Sequence, residues 1–117
     1  MKIVIFGSRG IEDMRAVESA MEAYGMASQV TEIVSGGARG VDRLGEGYAR
    51  QRGLPCTIFP AQWAKYGKNA GPRRNREMAE YADYGVAIWD GVSRGTAHMV
   101  MQMEGRVFVV ICRQTPE

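Results

Sequence analysis

Short apolar runs alternate with amphipathic segments along the chain. A continuous apolar run at residues 3–6 and a β-branched run at 31–34 both stop at glycine-containing segments. Such runs are typical of strands buried on both faces of a parallel sheet. Between them, apolar residues recur at helical spacing, and Gly25 is a stop signal. The members of this helical stripe are Met14, Val17, Met21 and Tyr24.

The same alternation continues to residue 111. It predicts further strands at 56–59, 86–89 and 106–111, and further helices from 41 to a stop at Gly53, at 72–83 and at 96–103. A loop of about ten residues is predicted after the third strand, which is long for this kind of connection. The pattern predicts an α/β fold, a Rossmann-like, doubly wound, five-stranded parallel sheet with helices on both faces. We expect a single domain at 1–113 and a short tail at 114–117.

The composition is that of a soluble globular protein, with 45% apolar and 24% charged residues. The formal net charge of +2 is too small to indicate a nucleic-acid-binding protein. No apolar run approaches the length of a membrane span, and the sequence opens on a strand pattern, so we expect a cytoplasmic protein. Cys56 and Cys112 lie in strand-like runs and are predicted to be buried, reduced thiols.

Glycine is over-represented, with fifteen among 117 residues. Three predicted strands end in glycine-containing segments that each precede a helix, at 7–9, 36–40 and 91–96. In an open parallel sheet such ends meet at one edge, where helix N-termini offer free N–H groups to phosphate. The spacing matches neither GxGxxG with its acidic partner nor the GxxxxGK[ST] phosphate loop. We therefore predict a site for a nucleotide-type small molecule, with no metal and no cofactor.

The residues predicted to bind this ligand lie on the three segments, at the start of the second helix and on the third helix. They are Gly7, Ser8, Arg9, Gly36, Gly37, Ala38, Arg39, Gly40, Asp42, Arg74, Asn75, Gly91, Ser93, Gly95 and Thr96. Arg9 and Arg74 are the main candidates for phosphate contacts, because guanidinium groups bind phosphate in a bidentate manner. Asp42 is placed either to cap the second helix or to hold a ribose hydroxyl, and capping is favoured.

Two further features have open interpretations. The segment 62–76 holds five basic and no acidic residues, and its Trp63 either stacks on a base or fills the edge of the core. His98 is the only histidine in the chain. We predict a surface or packing role for His98, since the sequence shows no metal-binding or catalytic partner for it.

Four segments taken together resemble a known family. They are GSR at 7–9, SGGARGVD at 35–42, AGPRRNREM at 70–78 and DGVSRGTA at 90–97. In this order they resemble the YspA-like branch of the SLOG superfamily, small proteins of bacteria and their phages. The resemblance covers residues 3–110. It implies a Rossmann-like fold, a nucleotide-related ligand held by the GGARG and GxSxGT loops, and a homo-oligomer in a bacterium or a phage-infected cell.

The same superfamily includes the LOG phosphoribohydrolases, which cleave nucleoside monophosphates to a free base and ribose phosphate. Their PGGxGTxxE motif ends in a glutamate that assists departure of the base. Here the glycine–threonine portion is present, but Met99 stands at the glutamate position and Asp90 at the proline position. If the protein is an enzyme, Asp90 is the candidate catalytic residue.

Three functions follow from these observations. The favoured one is a sensor or sequestering domain that binds a nucleotide or a phosphoribosyl or ADP-ribose-like derivative, because the phosphate loops are intact and the glutamate is missing. The second is an N-glycosidic hydrolase in which a carboxylate stabilises an oxocarbenium-like centre. The third is single-stranded nucleic-acid binding through 63–76, and the low net charge argues against it.

Overall fold

The computed structural model of the protein describes residues 1–112, and five parallel strands form its single sheet. The strands are β1 (Lys2–Gly7), β2 (Glu32–Ser35), β3 (Cys56–Ile58), β4 (Tyr84–Trp89) and β5 (Val107–Ile111). Their order is β3-β2-β1-β4-β5, and every neighbouring pair is parallel. The predicted five-stranded parallel α/β sheet is confirmed, with each strand within two residues of its predicted bounds. The predicted tail at 114–117 lies outside the described residues.

Four longer helices connect these strands. They are α1 (Met14–Tyr24), α2 (Val41–Arg52), α4 (Ala70–Tyr81) and α5 (Arg94–Gln102). Helix α1 begins where the Asp13 side chain accepts a hydrogen bond from the backbone N–H of Arg15, and it ends at Gly25 in the left-handed conformation. Gly53 ends α2 in the same way. Both glycine stop signals are therefore confirmed.

The segment predicted as a ten-residue loop is structured instead. It forms a short helix, α3 (Trp63–Tyr66), followed by a 3-10 turn at Gly67–Asn69 that leads into α4. These turns are too short for a periodic apolar stripe, which is why the sequence pattern misses them. They are held by contacts to α4, where the Arg73 guanidinium lies 4.0 Å from the centre of the Tyr66 ring. Trp63 packs closely against Gly71.

The helices cover both faces of the sheet, as predicted. Along β1, Ile3 and Ile5 point towards the cluster formed with α1 and α2, while Val4 and Phe6 belong to the opposite cluster with α4 and α5. All four side chains are at most 3% exposed. Burying each such side chain stabilises the fold by about 1.5–3 kcal/mol. The central strand is thus fixed from both sides, and its carboxyl end is placed rigidly.

The predicted burial of the two cysteines is wrong. Cys56 is exposed and Cys112 is only partly buried, and both are free thiols. Cys56 is exposed because β3 is a three-residue strand at the edge of the sheet. Across residues 1–112, none of the helices has the length and apolar character needed to cross a membrane.

Candidate functional site

A cavity of about 530 Å³ opens at the carboxyl edge of the sheet. The strand order reverses at β1, with β2 on one side and β4 on the other, and ligands of open α/β sheets bind at this position. We call it the switch-point cavity. Its polar lining comes from Arg9, Asp42, Arg74, Asn75, Ser93, Arg94, Thr96 and His98, and its other walls from Phe6, Gly7, Gly10, Ala38, Trp63, Gly71, Pro72, Met78, Gly95 and Met99. Its volume lies within the range of small-molecule sites.

A second cavity of about 620 Å³ adjoins the first. The two share Arg9, Ala38, Trp63 and Arg74 as a common wall. We call it the arginine cavity, and it is formed by the segments that follow β2 and β3. The rest of its lining comprises Gly36, Gly37, Arg39, Arg43, Glu46, Ile58, Pro60 and Ala61.

The predicted ligand-binding residues lie together at this edge of the sheet. All except Ser8, Gly40 and Gly91 line one of the two cavities. Ser8 is only 1% exposed, and its hydroxyl accepts a hydrogen bond from the backbone N–H of Asp90 at 2.9 Å. It therefore joins the end of β1 to the end of β4. Gly40 lies against the backbone carbonyls of Ser8 and Arg9, and Gly91 is exposed in the segment after β4.

Asp42 and Arg74 meet over Gly36. A Cβ atom at Gly36 would lie 2.6 Å from Nη1 of Arg74 and 2.8 Å from Oδ2 of Asp42, so only glycine leaves room for both side chains. The Nη1 group of Arg74 donates to the carbonyl oxygen of Gly36 at 2.6 Å. Oδ2 of Asp42 accepts from the backbone N–H of Ala38 at 3.3 Å. The capping role that the sequence favours for Asp42 is wrong. Asp42 lies inside the first turn of α2, and its carboxylate holds the segment after β2.

The Asp42 carboxyl is 5% exposed, and this burial raises its pKa to about 6. The Arg74 guanidinium and the N–H groups of Ala38 and Gly7 act in the opposite direction but do not overcome burial. Removing a carboxylate from water is costly even when cations and N–H groups lie nearby. The site therefore holds a carboxyl group that changes charge close to neutral pH.

We expect the Asp42→Asn variant to remove part of the pH dependence of stability. Because the folded-state pKa of Asp42 is about 6 and its ordinary value is 3.8, ionisation destabilises the folded protein progressively as the pH rises from about 4 to 6. The loss amounts to about 3 kcal/mol at pH 7. Urea unfolding of the wild type and of Asp42→Asn between pH 4 and 8 measures this loss as the difference in stability between the two proteins. The other carboxylates contribute equally to both and cancel. A difference in stability between the two proteins that does not change with pH would contradict the raised pKa of Asp42.

A hydrogen-bonded chain runs from Arg74 through Asn75 to His98. Nε of Arg74 donates to Oδ1 of Asn75 at 3.0 Å, and because arginine only donates, this contact fixes the orientation of the amide. Nδ2 of Asn75 then donates to the Gly95 carbonyl at 3.4 Å and to Nδ1 of His98 at 3.2 Å. Nδ1 of His98 is thus the acceptor, and the proton of the neutral ring lies on Nε2. His98 also lines the switch-point cavity.

Asp90 is held by its own loop. Oδ1 accepts from the backbone N–H groups of Val92 and Ser93, each at 2.8 Å, and Oδ2 accepts from the Ser93 hydroxyl at 2.9 Å. These hydrogen bonds lower the pKa of Asp90 to about 2. Within the described chain, Asp90 lines neither of the two cavities. Its contacts explain how the loop after β4 is shaped, and a catalytic role for it stays a prediction.

The aromatic and basic segment at 62–76 contributes unequally to the site. Trp63 is 53% exposed and lines both cavities, an arrangement that favours contact with a ligand over filling of the core. Lys65 and Arg73 instead lie over the ring of Tyr66, at 5.1 and 4.0 Å from its centre. Of the five basic residues in this segment, Arg74 lines the cavities, so the segment does not form a continuous basic track in the described structure.

Sequence reasoning missed several lining residues. The sequence predicts only a surface or packing role for His98, because its partner, Asn75, is 23 residues away in the chain. His98 lies nearly one turn after Gly95 on α5, beside Met99, so helical spacing from Gly95 is the signal that could have found it. Arg43 and Glu46 lie on α2 and line the arginine cavity. Charged residues on a helix are usually solvated, so the sequence gives no local signal for either residue.

The class of protein follows from the strand order and from the cavity at the switch point, which is lined by arginine and glycine. It is a Rossmann-like α/β domain with a candidate site at the carboxyl edge of the sheet. Residues 1–66, more than half of the chain, match the model of the YspA, cpYpsA-related SLOG family, and the chain belongs to this family. The resemblance drawn from the four segments is thereby confirmed. No curated protein and no solved structure has significant similarity to the chain. Family membership is consistent with a nucleotide-related ligand.

Proposed function

We propose that the protein binds a nucleotide or a phosphoribosyl or ADP-ribose-like derivative in the switch-point cavity, as a sensor or sequestering domain in the cytoplasm of a bacterium or a phage-infected cell. The pair Arg9 and Arg74 carries this proposal. Burial lowers the pKa of Arg74, and the nearby positive charge of Arg9 lowers it further, against the effect of Asp42. Two guanidinium groups held together in one cavity favour an anion between them.

The N-terminus of α5 supports the same proposal. Gly95 and Thr96 lie in its first turn and line the cavity, so backbone N–H groups of a helix N-terminus lie at the same place as the two arginines. This is the arrangement that binds phosphate in other α/β proteins. Trp63 offers an aromatic face to a base, and His98 offers one donor to an acceptor of the ligand.

Binding without turnover is favoured by the residue at the position of the LOG glutamate. Met99 lines the cavity and is 1% exposed, so α5 presents a thioether where the hydrolases present a carboxylate. The homo-oligomer implied by the resemblance is part of the proposal. Val109 and Ile111 on the edge strand β5 are 37% and 50% exposed, and they offer an apolar surface to a second copy.

We expect the Gly95→Val variant to fold normally and to lose the ligand. A Cβ at Gly95 meets no atom within 4 Å, so the valine side chain enters the open cavity. A thermal-shift screen against nucleoside mono- and diphosphates, NAD and ADP-ribose supplies the measurement. At 100 times its dissociation constant a ligand adds about 2.7 kcal/mol. For a domain of this size the shift in Tm is roughly 10 °C.

The matched control is Gly47→Ala, a glycine substitution on α2 away from both cavities. There the new Cβ meets the terminal methyl of the flexible Met14 side chain, which moves easily. The control is expected to keep the full ligand-induced shift. If no nucleotide raises the Tm of the wild-type protein, the proposed function fails. If a hit is recovered by chromatography as free base and sugar phosphate, the protein is a hydrolase.

A further inference from the structure

The arginine cavity carries an excess of positive charge. A ligand bound only in the switch-point cavity would not neutralise this excess. Among the described residues, four arginines and one carboxylate line it, namely Arg9, Arg39, Arg43 and Arg74 with Glu46. This local excess of three positive charges exceeds the formal net charge of +2 of the whole chain. The rest of the chain is therefore slightly acidic, and the excess is concentrated at this place.

Two side chains of this cavity, those of Arg43 and Glu46, are held by hydrogen bonds. Nε of Arg43 donates to the carbonyl oxygen of Gly37 at 3.3 Å, which places its guanidinium against the segment after β2. Oε2 of Glu46 accepts from the hydroxyl of the buried Ser35 at 2.8 Å, so this carboxylate is directed to the end of β2. Arginine forks fixed in this way are suited to a phosphate group.

The two cavities share part of their lining, so a ligand bound at the common wall contacts residues of both. Arg9 and Arg74 line both of them, and the exposed indole of Trp63 lies at the boundary. Arg39 and Arg43 line the arginine cavity and not the switch-point cavity, so a phosphate bound in the switch-point cavity would not contact them. A ligand that also uses these two arginines needs a second anionic group.

We propose that the arginine cavity is a second phosphate subsite, and that the ligand is a dinucleotide whose two phosphate groups are separated by a nucleoside. This inference rests on the proposed function, since the first phosphate occupies the switch-point cavity. Trp63 stacks on the part of the ligand that crosses the common wall. Arg39 and Arg43 bind the second phosphate.

Isothermal titration calorimetry with AMP and with the 5′-phosphorylated diadenylate pApA tests this inference. The wild-type protein is expected to bind pApA roughly tenfold to a hundredfold more tightly than AMP, the gain of one charge-assisted phosphate contact. The Arg39→Gln/Arg43→Gln variant is expected to lose this advantage, with a larger loss of affinity for pApA than for AMP. Arg39→Gln alone removes part of the advantage and leaves the hydrogen bond of Arg43 to Gly37 intact.

The matched control is Arg50→Gln/Arg52→Gln, which makes the same change of charge at the other end of α2 and away from both cavities. It is expected to keep the preference for pApA. Equal affinities of the wild type for AMP and pApA would overturn the second subsite and leave the proposed function standing. Binding of neither probe would count against the proposed function itself. An affinity that keeps rising from pApA through longer oligoadenylates would replace the dinucleotide with an extended single strand.

Discussion

Replacing Gly7 with alanine is expected to lower the free energy of unfolding by about 3 kcal/mol, the upper end of the usual cost of overpacking. Gly7 lies opposite Ile88 in the pairing of β1 with β4. A Cβ at Gly7 would lie 1.9 Å from the Ile88 carbonyl oxygen and 2.9 Å from Cγ2 of Val41. The first of these atoms belongs to the backbone of the neighbouring strand β4, which cannot move as a side chain does, so β1 and β4 must separate at their carboxyl ends. Thermal unfolding should report a fall in Tm of roughly 10 °C or more.

The matched comparison is Gly95→Ala, the same substitution at a position with open space around the new Cβ. Because alanine favours a helix by up to about 1 kcal/mol over glycine, this variant should be at least as stable as the wild type. A Gly7→Ala protein with the wild-type Tm would mean that the ends of β1 and β4 are not held as tightly as the structure has them. The close approach of Gly7 to Ile88 would then not be a constraint on the fold.

Replacing Arg74 with methionine is expected to weaken binding of the anionic ligand roughly tenfold to a hundredfold, the value of a hydrogen bond to a charged group. Arg74 lines both cavities, and its contacts to Gly36 and Asn75 hold the guanidinium there. Titration calorimetry with the best ligand of the thermal-shift screen measures the loss. Arg74→Lys should not restore affinity, because an ammonium group cannot make both of these contacts and still present a fork to phosphate.

Arg76→Met serves as the control for this substitution. Arg76 is exposed on the same helix and, in the described structure, lines neither cavity. The substitution makes the same change of charge and of side chain as Arg74→Met. Its affinity for the ligand should stay within about twofold of the wild type, since exposed and distant charges are screened. Equal losses in the two variants would assign the effect to general charge, and the phosphate contact of Arg74 would have to be abandoned.

The fold could be predicted from sequence because its strands are continuous apolar runs. The run at 3–6 and the run at 86–89 are buried on both faces, and they belong to the central strand β1 and to its neighbour β4. The incorrect predictions concern the edge strand β3 and the short helix α3. Cys56 looks buried by composition, and only the strand order reveals that β3 is an edge. The helix at Trp63–Tyr66 is a single turn stabilised by contacts to α4, and periodicity cannot detect so short an element.

The candidate site could be predicted in part for a similar reason. Glycine segments at strand ends mark the carboxyl edge, and this rule brought Gly7, Gly36 and Gly95 to the same place. The role of Asp42 depends instead on its burial beside Arg74, which is 32 positions away in the chain. The division of the edge into two cavities arises from the placement of Arg74 and Trp63. Contacts between distant segments of this kind leave no mark on local sequence patterns.

The open space around Gly95 also bears on how the family can diverge. A single nucleotide change converts a glycine codon to one for alanine, valine, aspartate or glutamate, and the structure raises no steric barrier to a Cβ here. Folding therefore does not require glycine at this position, in contrast to Gly7, whereas an open proposed ligand site does. A substitution at Gly95 therefore alters the proposed ligand site and leaves the scaffold unchanged.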